Sequence, residues 1–256
     1  MLLPLPQNLE MHLIDLATGE EMVALTGATR ADLAGLPLDV APTLLGGELR
    51  TVVAGGAVRL RITEVEAYHG QGTGPVADPG SHARMGRTAR NATMWGEQGH
   101  LYVYLSHGIH SCVNVVSGPE GAAGGILLRA GAVIDGTDAA AARRGAALPL
   151  TPTGLRDLAR GPGRFGQASG LRHPLHDGID AIAGTPRNGA TAELWLSDAA
   201  VDVRSGPRVG VAGIAGTDAF PWRFWIDGDP TVSPFRWGRG AREASLSAGS
   251  SAPPRR

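Results

Sequence analysis

Lysine is absent from the chain: all 23 basic residues are arginine. A mechanism that forms a Schiff base through a lysine amine is thereby excluded, and only the terminal amine could stand in. Cysteine is almost as scarce. With Cys112 alone, no intramolecular disulfide framework can form, which fits a reducing cytoplasm. No apolar run approaches the roughly 20 residues of a membrane span. Residues 1–6 lack the basic start and apolar stretch of a signal peptide, so a cytoplasmic location is predicted. Neither charge sign is in excess. The net charge of −1 means that any affinity for nucleic acid has to come from a local patch.

What the chain does have is concentrated. Its 256 residues, 43% of them hydrophobic, are enough for one large domain or two small ones with a proper core. Residues 61–114, about a fifth of the sequence, gather Glu64-Val65-Glu66-Ala67-Tyr68, Ser81-His82-Ala83-Arg84 and the run from Leu101 through Tyr102, Tyr104 and His107 to His110. Val58, Leu60 and Ile62 alternate with Arg59, Arg61 and Thr63, the period of a half-buried strand. Continued, that parity puts Glu64, Glu66 and Tyr68 on the face of Leu60 and Ile62, unless a bulge intervenes. Carboxylates on a burying strand need partners, because desolvating the ionised form is costly and raises the pKa. A structural ion pair with arginine and a chemical role are both open at this point.

Along the chain, residues 1–30 show weak periodicity and predict a flexible N-terminal extension. Leu33, Leu36, Val40, Leu44 and Leu45 recur at helical spacing, divided by Pro37 and Pro42 into two short helices. Residues 48–53 and 58–68 read as a hairpin, and 69–92 as a long loop. Arg84, Arg87 and Arg90 make that loop either a phosphate-contacting run or a solvated basic segment. Residues 101–105 and 109–116 are strands joined at His107-Gly108, where glycine supplies the positive φ of a tight turn. A short strand at 125–130 ends near Arg129, and helices are predicted at 135–145 and 153–171. These helices and the residue after them carry Arg143, Arg144, Arg156, Arg160, Arg164 and Arg172 against Asp135, Asp138 and Asp157, as a DNA-backbone face or a solvated helix surface. Late strands are expected at 193–196, 208–211 and 222–226, and a disordered tail at 238–256. The fold class predicted for residues 31–237 is α+β: one mixed domain with a largely antiparallel curved sheet, surrounding helices and a protruding β-hairpin.

With these residues in place, the sequence resembles the alkyladenine (3-methyladenine) DNA glycosylase family from about residue 44 to 233. The resemblance is carried by Glu64-Val65-Glu66-Ala67-Tyr68, Asp78-Pro79 with Ser81-His82, Thr88-Ala89-Arg90-Asn91 with Met94, and Leu101-Tyr102-Val103-Tyr104. Cys112-Val113-Asn114-Val115-Val116, Leu127-Leu128-Arg129-Ala130, Gly161-Pro162-Gly163-Arg164, Pro207-Arg208-Val209-Gly210-Val211 and Pro221-Trp222-Arg223-Phe224 follow in order. Each string is short, but nine in sequence with sensible spacing are hard to obtain by chance.

The resemblance implies a monofunctional base-excision-repair enzyme, a nucleoid-associated monomer that needs no cofactor and no metal. Its partner would be double-stranded DNA containing alkylated or deaminated purines, with no membrane involved. Such an enzyme flips the damaged purine out, because the reacting carbon is hidden in the stacked duplex, and hydrolyses the N-glycosidic bond to leave an abasic site. By the same resemblance Glu66 is the general base that activates water, and Arg129 and the Val209 carbonyl hold that water. Tyr68, His82 and Tyr104 contact the flipped base, and Asn114 disfavours the exocyclic amine of normal guanine. His107 stands where a tyrosine wedge is usual and Ile109 where methionine is common, so both are expected to intercalate. Arg84, Arg90 and Arg164 are expected on the DNA backbone. Imidazole offers less area than phenol and can be charged at roughly pH 6 to 7, which predicts weaker or more pH-sensitive flipping.

The chemistry agrees with the residues. Glycosidic cleavage passes through an oxocarbenium-like state that a nearby carboxylate stabilises while accepting a water proton. An alkylated purine is cationic, leaves readily, and stacks well between aromatics. Two other readings compete. His100, His107, His110 and Cys112 could form a metal site, although their spacing matches no known zinc pattern. A non-catalytic DNA-binding module could also have kept the fold and lost the chemistry, against which the intact Glu66 and Arg129 argue.

Overall fold

The structure, a computed structural model, describes residues 9–11, 24–54, 56–70 and 76–249. In chain order its strands are β1 (Leu9–Met11), β2 (Ala24–Gly27), β3 (Glu48–Val53), β4 (Gly56–His69), β5 (His100–Ser106) and β6 (His110–Val115). They continue with β7 (Gly124–Asp135), β8 (Ile179–Asp180), β9 (Thr191–Ser197), β10 (Val203–Gly206) and β11 (Arg223–Ile226). The helices are α1 (Pro37–Val40), α2 (Thr137–Arg144), α3 (Pro152–Asp157), α4 (Pro162–Ser169) and α5 (Ala241–Gly249). All pairings are antiparallel in one curled sheet of order β1-β2-β9-β3-β4-β7-β6-β5-β8. The predicted α+β architecture is the one observed.

β4 organises the sheet. Its first half pairs with β3 and its second half with β11 on the same edge, while β7 runs along the other edge. The β4–β7 register holds Ile62 opposite Gly131, then Glu64 opposite Ala130 and Val65 opposite Leu128, so Thr63 and Arg129 are left without partners. This double bulge advances each strand by an odd number of residues between regular pairs, which exchanges the two faces. Leu60 and Ile62 belong to the aliphatic core, and beyond the bulge Val65 and Ala67 take their place. Simple alternation, which placed Glu64, Glu66 and Tyr68 on the core face, is corrected by this bulge.

Past the bulge the sheet has two distinct faces. Val65, Ala67, Ile126, Leu128, Val113, Val115, Leu101 and Val103 form the aliphatic face, packed with Phe165 and Ala168 of α4 and with Ala140 and Ala141 of α2. α4 lies so close to β6 that a Cβ on Gly166 would stand 1.9 Å from the Ser111 carbonyl oxygen. The opposite face carries the polar and aromatic side chains described below.

Several expected boundaries move. The predicted 153–171 helix is interrupted by a bridge between Ala130 and Arg160, and α4 restarts at Pro162, which suits a first helical turn. Residues 208–211 form a loop where a strand was expected, and the 125–130 strand extends to Asp135. Part of the predicted flexible extension is built into the sheet: β2 pairs with β9, and Arg30 bonds the Asp180 carboxylate at 2.7 Å and the Gln98 carbonyl. Within the predicted tail, residues 241–249 are helical and Ala241 is buried. Residues 1–8, 12–23 and 250–256 lie outside the described residues. Among the described residues no helix is long and apolar enough to cross a membrane.

Candidate active site

One row of paired residues crosses five strands: Arg223 on β11, Glu66 on β4, Leu127 on β7, Asn114 on β6 and Tyr102 on β5. Partners in an antiparallel pair share a face, so the row lies on the side away from the aliphatic core. Adjacent strands stand about 4.8 Å apart, which separates Glu66 from Asn114 by roughly 10 Å.

Glu66 is fully buried and tightly held. Its Oε1 accepts the Val209 N–H at 2.6 Å and lies 3.2 Å from Arg129 Nη1, while Oε2 accepts the Tyr68 hydroxyl at 2.7 Å. Arg129, aimed by the β7 bulge, also donates Nε to Glu64 at 3.0 Å and Nη2 to Ser233 Oγ at 3.3 Å. Glu64 takes Arg223 Nε at 2.6 Å, the Ser233 N–H at 2.8 Å and the Ser233 hydroxyl at 3.0 Å. Two carboxylates thus neutralise two guanidiniums in a buried cluster. Desolvation works against the Arg129 charge, but Glu66 and Glu64 outweigh it and hold its pKa above the ordinary arginine value. The two acids divide the structural and open readings between them. Glu64 is consumed by internal ties, whereas all three partners of Glu66 face a cavity.

That cavity measures about 720 Å³ and is lined by Tyr68, Arg129 and Val209 together with His82, Met94, Tyr102, Tyr104, Cys112, Asn114 and Leu127. The Tyr102 and Tyr104 rings are near-parallel at 5.4 Å, and His82 meets Tyr104 edge-on at 4.6 Å. Asn114 Nδ2 donates to the Tyr102 carbonyl at 3.0 Å, which fixes its amide. Burial, with Glu66 adding to it, keeps the Tyr68 phenol protonated. Burial likewise raises Tyr104, and takes Tyr102 up to about 12. Desolvation and then the charges of Arg90 and Arg84 lower the His82 pKa, leaving a neutral imidazole at pH 7. The walls combine the neutral rings of Tyr68, His82, Tyr102 and Tyr104 with Arg84, Arg90 and Arg129, and the Glu66 carboxylate lies directly behind Tyr68, Arg129 and Val209.

A family model described as methylpurine-DNA glycosylase matches residues 32–230. The chain belongs to the methylpurine-DNA glycosylase family. A relative from Streptomyces avermitilis is 48% identical over 212 residues, covering 82% of this chain and 92% of its own length. One from Nocardia farcinica is 48% identical over 202 residues, 78% of this chain and 87% of its own length. One from Mycobacterium tuberculosis is 42% identical over 205 residues, 80% and 92% respectively. All three are provisionally named 3-methyladenine DNA glycosylase.

In this methylpurine-DNA glycosylase family member, most residues singled out in the sequence converge. Tyr68, His82, Arg84, Arg90, Tyr104, His107, Asn114, Arg129 and Val209 line the one cavity, with Glu66 directly behind its wall. Val209 presents its N–H to Glu66. His107 and Gly108 both take left-handed conformations, φ 50° and 71°, at the β5–β6 tip, and Ile109 beside them is 72% exposed. Arg164 is elsewhere, in the first turn of α4, where it shares Asp157 with Arg156 and Arg160. Arg143 donates to the carbonyls of Ala168, Ser169 and Gly56, so the expected basic helix face is largely tied internally. Among the described residues no three His, Cys, Asp or Glu side chains converge as metal ligands. His100 bonds the Glu97 carbonyl, His107 bonds Ser106, and the His110 ring packs on Gly163.

Sequence reasoning missed a second buried ion pair. Arg208 and Asp78 are fully buried and bonded through both guanidinium arms at 2.7 and 2.8 Å. The guanidinium lies 4.6 Å from the Tyr68 ring and 4.9 Å from that of Trp222. Gly80 is small because a Cβ there would come within 2.7 Å of Arg208 Nη2. The pair braces Tyr68 from behind and anchors the loop that offers the Val209 N–H. Both partners sit in short strings visible in the sequence, but 130 residues separate them.

Proposed function

We propose that the chain excises alkylated or deaminated purines from duplex DNA by base flipping and direct hydrolysis. The observation that carries this reading is the Glu66 carboxylate, held by Arg129 and the Val209 N–H directly behind the wall of a cavity lined with aromatic rings. An N-glycosidic bond can be presented to that carboxylate only if the nucleotide leaves the stack. The flipped purine enters between Tyr68, His82 and Tyr104, whose neutral rings favour an electron-poor alkylated base. Asn114, held by its bond to the Tyr102 carbonyl, meets the base edge and disfavours the exocyclic amine of guanine.

Tyr68 swings with the incoming base and releases Glu66 Oε2, which then takes a proton from water as that water attacks C1′. Arg129 and the Val209 backbone orient the water, and the carboxylate stabilises the developing sugar cation. The purine departs with the glycosidic electron pair. Because the chain has no lysine, the product is an abasic site without Schiff-base strand cleavage. His107 and Ile109 fill the gap left in the duplex, while Arg84, Arg90 and Arg164 contact phosphates. The protein acts as a monomer at the nucleoid.

The test is release of free base from duplexes carrying 3-methyladenine, 7-methylguanine, hypoxanthine or ethenoadenine, with strand scission measured before and after alkali. Scission only after alkali is the expected result. Tight duplex binding with no base released from any of the four would favour a non-catalytic module instead.

A further inference from the structure

The segment 234–242 follows directly after Ser233, which ties it to Glu64, and lies beyond the residues matched by the family. It is pinned along the loop that forms one cavity wall. The N–H groups of Gly210 and Gly213 donate to the carbonyls of Arg236 and Arg239 at 2.9 and 3.0 Å. A Cβ on Gly238 would stand 2.0 Å from the Val211 carbonyl oxygen, so the two backbones touch. Gly210, Val211 and Ala212 in turn line the cavity.

Held there, the segment turns an unusual set of side chains outward. Arg236, Arg239 and Arg242 are exposed, and no carboxylate among the described residues pairs with them. Some other surface arginines are tied to acids, Arg156, Arg160 and Arg164 to Asp157 and Arg204 to Asp202 and Asp227, whereas Arg84, Arg87, Arg90, Arg172 and Arg187 are exposed without an acid partner among the described residues. Phe235 and Trp237 flank Arg236, 37% and 39% exposed and edge-to-face at 4.9 Å. Unpaired guanidiniums interleaved with exposed aromatic rings suit a sugar-phosphate strand. The cavity lining itself adds two further cations, Arg84 and Arg90. A chain of net charge −1 needs such local patches to hold a polyanion.

We infer that residues 234–242 form a second DNA-contacting lip, with Arg236, Arg239 and Arg242 on backbone phosphates and Trp237 packed against a nucleotide beside the flipped one. The inference rests on the proposed glycosylase reading, since it presumes that duplex DNA spans the cavity mouth. Each neutralised phosphate contributes about 0.9 to the slope of log affinity against log salt.

The probe is a duplex holding a tetrahydrofuran abasic analogue, with binding followed by anisotropy across a salt series. The triple variant Arg236→Gln/Arg239→Gln/Arg242→Gln should flatten the slope by about 2 to 3. Trp237→Ala should weaken binding about fivefold or more, with the slope unchanged. Both should excise at the wild-type rate once saturated with duplex. A triple variant with the wild-type slope would overturn the inference while leaving the glycosylase reading intact. No duplex binding by the wild type would overturn both.

Discussion

Glu66→Gln is the substitution that separates chemistry from architecture. The amide keeps the side chain's shape, and its oxygen can still accept the Val209 N–H now found at 2.6 Å. What disappears is one negative charge in a cluster of two acids and two arginines. Arg129 keeps a neutral acceptor at 3.2 Å and its charged partner Glu64 at 3.0 Å, while the Tyr68 hydroxyl, now facing the amide NH2, loses the carboxylate oxygen to which it donates. The stability cost is therefore that of one hydrogen bond between charged groups, about 1.5–3 kcal/mol. Glu64→Gln is the comparator. It strips the carboxylate from Arg129 and Arg223 together, at 3.0 and 2.6 Å, and should cost about 3–5 kcal/mol, as for other broken buried pairs. The kinetic ranking runs the other way. Loss of a general base lowers the rate about 10²–10⁴-fold, or roughly 3–5 kcal/mol of barrier. The assay is single-turnover release of 3-methyladenine with enzyme in excess, alongside denaturant midpoints for both variants. Glu66→Gln should melt above Glu64→Gln and excise far more slowly than wild type. If Glu66→Gln, folded and bound to DNA, excised within about threefold of wild type, the carboxylate would not be the base.

Three further outcomes are expected. His107→Asn keeps a residue suited to the left-handed turn and removes the ring; excision should fall by the equivalent of about 1–3 kcal/mol of stacking, and unchanged excision and affinity would remove His107 from the flipping step. His69 is buried with its Nε2 unpartnered, and desolvation lowers its pKa, opposed by Asp78 and assisted by Arg208. The unfolded state therefore takes up the proton first, so stability is full above about pH 6.5 and declines as pH falls below it; the wild type should lose more between pH 7.5 and 5.5 than His69→Phe, and parallel losses would contradict this. Gly166→Ala pushes a methyl into the Ser111 carbonyl and should cost about 1–3 kcal/mol in a chemical melt, whereas an unchanged midpoint would mean that α4 can retreat from β6.

The sequence made the strands and the cluster of site residues legible because both depend on local order. Val58, Leu60 and Ile62 announce β4 by alternation alone, and the β5–β6 hairpin is marked by two apolar runs around His107-Gly108. Facing was not legible where a bulge reset it, since Thr63 and Arg129 are skipped by pairing partners far away in the chain. The same holds for Arg208, which reads as part of a strand but is fixed by Asp78, and for Arg164, whose 3.4 Å pairing with Asp157 no local pattern announces. The short strands β2, β8 and β10 carry too few residues for a period to emerge, and exist because neighbouring edges were available. The helix at 241–249 was hidden by a composition of Ala, Ser, Gly and Arg that also describes coil.

The double bulge has a consequence for how this chain can vary in length. Without Thr63, Ile62 and Val65 would stand two apart, and plain alternation would still keep Val65 and Ala67 in the hydrocarbon layer and both acids out of it. The same one-residue loss within the regular run from Val65 to Tyr68 has no extra residue to absorb it, and would turn everything beyond it over. The bulge is thus the place where this strand can lose a residue without exchanging its faces.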